Sequence, residues 1–179
     1  MIYIEDITGN HVVNTMRTAN RGRLLRSIST AYGDLENPSY SFIDKVLRKA
    51  PYRELTKLLS DNFVLEDMTD LDEDVAFRLL LATENGRSFM VELSFIGPYF
   101  VVFEVSDRMV HFPTDALSID PEISQLHSIL VRFGLTPVSA EILGLPIPMR
   151  SLDIDRNTGT FYDALFSTYG SITHETAVE

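Results

Sequence analysis

The sequence predicts an α+β fold: an antiparallel sheet of about four to five strands, with a meander over 75–112, packed with N-terminal helices and a helix at 121–133. Three observations carry this. From Val75 to Val105 the chain reads VAFRLLLATENGRSFMVELSFIGPYFVVFEV, with apolar side chains recurring at the period of a strand and turn dipeptides at Asn85-Gly86 and Gly97-Pro98. Ahead of it, Phe42, Ile43, Val46, Leu47 and Ala50 recur at helical spacing, opposite Asp44, Lys45, Arg48 and Lys49. After it, Asp120-Pro121-Glu122 opens a helix whose stripe is Ile123, Leu126, Ile129, Leu130 and Phe133, and Gly134 closes it.

The register of the meander follows from its turn. A two-residue turn at Asn85-Gly86 would put the stripe Val75, Phe77, Leu79 and Leu81 on the opposite face from Phe89, Val91, Leu93 and Phe95. A three-residue loop, Glu84-Asn85-Gly86 with Gly86 at the left-handed bulge position, pairs Leu81 with Phe89, Leu79 with Val91, Phe77 with Leu93 and Val75 with Phe95. Both stripes then share one buried face, so the bulged loop is preferred, since a one-residue slip exchanges the faces. The same register sets Arg78 opposite Glu92 on the outer face.

The remaining elements are read in chain order. Met1 to Ile4 suits a short strand or an ordered tail, and Val12 to Tyr32 has patchy helical spacing, interrupted at Asn20 and Gly22 and stopped by Gly33. Arg17, Arg21, Arg23 and Arg26 decorate that helix; without interleaved aromatics they read as a solvated face pairing with the acidic body. Ser41 and Asp44 have the spacing of a capping box, and Pro51 ends that helix before a further one carrying Leu55, Leu58 and Leu59. Tyr99 to Val105 is apolar on nearly both faces, as in a strand covered on both sides, and Met109 to Phe112 follows as a short fourth strand. Ser139 to Leu143 predicts a short helix, Leu145-Pro146-Ile147-Pro148 an extended crossing over the sheet, and Thr160 to Phe166 a last strand or a strand-to-helix passage. His111 and His127 read as structural residues.

Length and composition suit one domain over 1–179, mainly helical over 1–60, with a polar tail at 171–179. Hydrophobic content of 45% argues against disorder. There is no cysteine, which excludes disulfides, thiolate metal sites and cysteine catalysis. With no long apolar run and no cationic leader, a cytoplasmic location is expected. The net charge of −11 is uneven: residues 1–60 carry +3 and residues 61–179 carry −14. Such a field disfavours nucleic acid and anionic membranes as partners and steers a basic protein toward the acidic body.

The densest charge run, EDMTDLDEDV, holds Glu66, Asp67, Asp70, Asp72, Glu73 and Asp74 and reads as a loop. Asp70, Asp72 and Asp74 imitate the start of a calcium loop, but the sharp-turn glycine is absent and Leu81 stands where the closing Glu belongs. Asp153 to Gly159 is a second imitation, with glycine one position late and Ala164 at the closing position, and reads as a glycine-terminated turn. No nucleophile elbow, phosphate loop, zinc-protease motif or dinucleotide fingerprint occurs, so no catalytic residue, metal or cofactor is expected.

The segments Leu93-Ser94-Phe95-Ile96-Gly97-Pro98-Tyr99-Phe100, Leu145-Pro146-Ile147-Pro148 and Thr160-Phe161-Tyr162-Asp163-Ala164-Leu165-Phe166-Ser167, about a ninth of the chain, resemble the pattern of immunity proteins from bacterial toxin and immunity pairs. The resemblance implies a cytosolic α+β protein that binds and occludes a cognate toxin domain, without catalysis. Joined to the charge asymmetry, it makes the acidic run the expected contact surface: Asp67, Asp70, Asp72 and Asp74, with Asp115, Asp120 and Glu122 as a second acidic edge toward a basic, nuclease-like toxin. An interaction module unrelated to toxins is the alternative, and a hydrolase using acids the sequence does not place comes third.

Overall fold

The computed structural model describes residues 9–71, 74–106, 109–111, 121–150 and 158–167. Its centre is the predicted meander, enlarged on both sides. Strands β1 (Val64–Asp67), β2 (Ala76–Ala82), β3 (Ser88–Ser94), β4 (Tyr99–Ser106) and β5 (Met109–His111) form an antiparallel sheet in sequential order. A sixth short strand, β6 (Thr136–Pro137), pairs in parallel with the start of β4. The chain is an α+β protein.

The bulged register holds. Leu81 pairs with Phe89, Leu79 with Val91, Phe77 with Leu93 and Arg78 with Glu92. At the turn, Thr83 N–H donates to Arg87 O at 2.9 Å, and Gly86 sits at φ +80° in the left-handed region. That conformation is open to glycine at little cost, and it places the extra residue of the loop without rotating the strands out of phase.

Only one buried face is expected of an alternating hairpin, yet both faces of this sheet are covered. On one face, Leu79, Leu81, Phe89, Val91, Leu93, Phe100 and Val102 pack against Leu55 and Leu59 of α3 (Arg53–Ser60) and Leu126 and Leu130 of α4 (Pro121–Arg132). On the other face, Ala76, Tyr99, Val101 and Phe103 meet Leu24, Ile28 and Tyr32 of α1 (Gly9–Tyr32), with Phe161 and Leu165 of α6 (Phe161–Leu165). The result is a helix, sheet, helix sandwich. Glu92, expected on an outer face, is therefore buried and its partner Arg78 half-buried, because Tyr162 of α6 lies over them.

Several local expectations change for identifiable reasons. Helix α1 runs through Asn20 and Gly22 without a break, since Leu24, Ile28 and Tyr32 bury one stripe and tertiary packing outweighs the cost of one glycine. It ends at Gly33, φ +74°, whose N–H donates to Ser29 O. Helix α2 (Phe42–Lys49) starts as predicted, but Ser41 is itself helical at φ −62° and makes no capping bond, so the Ser41–Asp44 box does not form. A capping box does form at Thr160 and Asp163, where Asp163 N–H donates to Thr160 Oγ1 and Thr160 N–H to Asp163 Oδ2. Thr160 bridges to Pro146 and leads into α6 (Phe161–Leu165), so of the two alternatives for Thr160 to Phe166 the strand-to-helix passage holds and the strand does not. Helix α5 (Ala140–Leu143) lies where expected, and Ile147 of the proline segment is buried in the core beneath α1 and α6. Phe133, placed in the buried stripe of α4, is 38% exposed. Met1 to Ile4, residue 112 and most of the Asp153–Gly159 turn lie outside the described residues.

Candidate interaction surface and the ion cluster behind it

The first two residues of the acidic run, Glu66 and Asp67, belong to a strand and not to a loop. Glu66 pairs with Leu80 and Asp67 with Leu79, making β1 the end strand of the sheet, with no strand on its outer side among the described residues. Its turn is laced by side chains. Asp67 Oδ1 accepts from the Thr69 N–H at 3.0 Å and from the Thr69 hydroxyl at 2.6 Å, and the same hydroxyl accepts from Arg78 N–H at 3.0 Å. Asp70 N–H donates to Asp74 Oδ2 at 2.9 Å, while Asp74 N–H returns to Asp70 O at 2.7 Å.

These bonds present two kinds of side chain outward. Glu66, Asp67 and Asp70 are exposed. Between and beside them stand Val64 at 76%, Met68 at 46% and Leu71 at 53% exposure. A large apolar side chain held in water among acids is the composition of a protein-contact patch, with apolar anchors inside a charged rim.

The seven predicted contact residues separate. Asp67 and Asp70 are on this edge. Asp74 is not: it is 1% exposed and serves as an anchor, so it is withdrawn from the contact surface. Asp72, Asp115 and Asp120 lie outside the described residues. Glu122, the first-turn acid of α4, accepts from Arg87 Nη1 at 3.2 Å and from Asn85 Nδ2 at 2.8 Å. It ties α4 to the hairpin tip, where Arg87 also meets Glu104 at 2.7 Å and stacks 5.1 Å over Phe89. Glu66, absent from the predicted contact list although named in the charge run, joins the edge.

Behind β1 lies a cluster of Asp74, Arg78, Glu92 and Tyr162. Arg78 Nη1 meets Asp74 Oδ1 at 3.0 Å, its Nε meets Glu92 Oε1 at 2.9 Å, and its Nη2 donates to Tyr162 Oη at 3.3 Å. Tyr162 hydroxyl in turn donates to Glu92 Oε1 at 3.0 Å. Two carboxylates thus share one guanidinium beneath α6. Burial, only partly offset by Arg78 and the tyrosine hydroxyl, pushes the Glu92 carboxyl up to about 7. Burial disfavours the charged guanidinium, but Glu92, Tyr162 and Asp74 outweigh it and hold Arg78 above its ordinary range. Burial and then Glu92 raise the Tyr162 hydroxyl, which stays protonated. With Asp74 bonded to Asp70 and bridged to Ser167, the cluster fastens the acidic turn to the far helix layer.

His127 packs its ring 5.4 Å from Phe100, and burial lowers its pKa, in line with a structural role. Among the described residues no group of three or more metal-ligating side chains gathers, and no helix is long and apolar enough to cross a membrane. No family model, curated protein or solved structure matches the chain. The features above define a class: an α+β sandwich with an acidic, apolar-studded end strand pinned from within.

Proposed function

We propose that this protein is a non-catalytic immunity protein of a bacterial toxin and immunity pair, acting in the cytoplasm by binding and occluding a basic toxin domain. The carrying observation is the β1 edge, where exposed Glu66, Asp67 and Asp70 surround exposed Met68 and Leu71. Acids on the rim speed encounter with a basic partner, and the apolar side chains supply the area buried on docking. The resemblance of the 93–100, 145–148 and 160–167 segments to immunity proteins supports the toxin as the partner class.

Co-expression tests the reading. The gene should lie directly downstream of a toxin gene, and co-expression should restore growth to cells making that toxin domain. Failure to restore growth, with both proteins present, removes the toxin as partner.

A further inference from the structure

A second surface has the opposite character. Helices α1 and α2 and the turn after β3 enclose a groove of about 450 Å³, with Phe42, Val46 and Ile96 along its apolar side and Arg23, Arg26 and Lys45 around it. All three cations are exposed. Among the described residues, none of them forms an ion pair. Three unpaired cations beside half-buried aromatic and aliphatic side chains call for an occupant that brings both negative charge and apolar anchors.

We propose that this groove takes the Glu66–Leu71 segment of a second copy of the chain. That segment offers three exposed acids, Glu66, Asp67 and Asp70, to the three cations, and two exposed apolar side chains, Met68 and Leu71, to the apolar side. The net charge of −11 opposes association at long range, but at physiological ionic strength screening over about 8 Å leaves the local pairs to decide. Edge and groove are different patches, so the contact is heterologous and propagates from copy to copy unless a ring closes. The inference does not depend on the toxin reading, because it concerns the protein alone.

Sedimentation velocity of the full chain tests it, at concentrations up to about 1 mM, where a contact of Kd about 1 mM would be populated. The weight-average mass should rise with concentration at moderate salt and fall back in high salt. The groove variant Arg23→Glu with Arg26→Glu, and separately the edge variant Glu66→Arg with Asp70→Arg, should each weaken association at least tenfold. Mixed together, they should associate again, because the intact edge of the groove variant meets the intact groove of the edge variant and the two reversed patches are themselves complementary in charge. A wild-type chain that stays monomeric throughout, or a groove variant that associates like wild type, overturns the proposal.

Discussion

Arg78 and Glu92 face each other across β2 and β3 with Nε and Oε1 2.9 Å apart, and Glu92 is only 2% exposed. Because Asp74 meets the same guanidinium, the cluster holds two acids for one cation, and burial lifts Glu92 to about 7. The folded pKa lies above the unfolded value of 4.5, so between those pH values the folded state binds more protons. Glu92 therefore contributes stability below about pH 4.5 that is lost as pH rises through 7, on the order of 3 kcal/mol. Urea unfolding of wild type and Glu92→Gln at pH 5 and pH 8 checks this. The variant should gain on wild type at the higher pH, and a gap that stays constant contradicts it.

Removing the cation tests the same cluster from the other side. Arg78→Met leaves two buried carboxylates without their partner and should cost about 3–5 kcal/mol at pH 8. At pH 5 the cost should be smaller, since Glu92 then takes a proton. Equal costs at both pH values would show that Glu92 is ionised throughout.

Gly86 tests the hairpin. A Cβ at this position meets nothing within 4 Å, so any penalty for substitution comes from the backbone at φ +80° alone. Gly86→Val should cost more than about 1 kcal/mol and Gly86→Asn less, because asparagine tolerates the left-handed region. Chemical denaturation giving a neutral Gly86→Val would contradict the bulge.

The two candidate helix starts give a matched pair. Thr160→Ala removes a hydroxyl that accepts from Asp163 N–H and should cost about 1 kcal/mol. Ser41→Ala should change thermal stability little, as the Ser41 hydroxyl bonds only Ser39, on the surface. A large effect at Ser41 would place a cap where the structure has none.

The meander and its register were legible because alternation, a turn glycine and a charge pair all pointed to one pairing. The second covered face was legible only at Tyr99 to Val105, whose nearly unbroken apolar run reads as a strand covered on both sides; β2 and β3, with Arg78 and Glu92 on that face, gave no such signal. Met90 and Ala76 are weak markers, and the covering helices α1 and α6 show little periodicity of their own. The acidic run misled for a related reason: six acids read as solvated, yet Glu66 and Asp67 pair with Leu80 and Leu79 of β2 and buried Asp74 meets Arg78, partners the run itself does not contain. Capping boxes share one sequence pattern, and only tertiary position decides that Thr160 caps and Ser41 does not.

The central claim is that the β1 edge meets a basic toxin domain. Stopped-flow association of the chain with the toxin domain encoded beside it measures this directly, using Glu66→Lys with Asp67→Lys and Asp70→Lys. The account predicts a slower association rate at low salt, with a difference from wild type that shrinks as salt rises. An unchanged rate at low salt, with the variant folded, would contradict it.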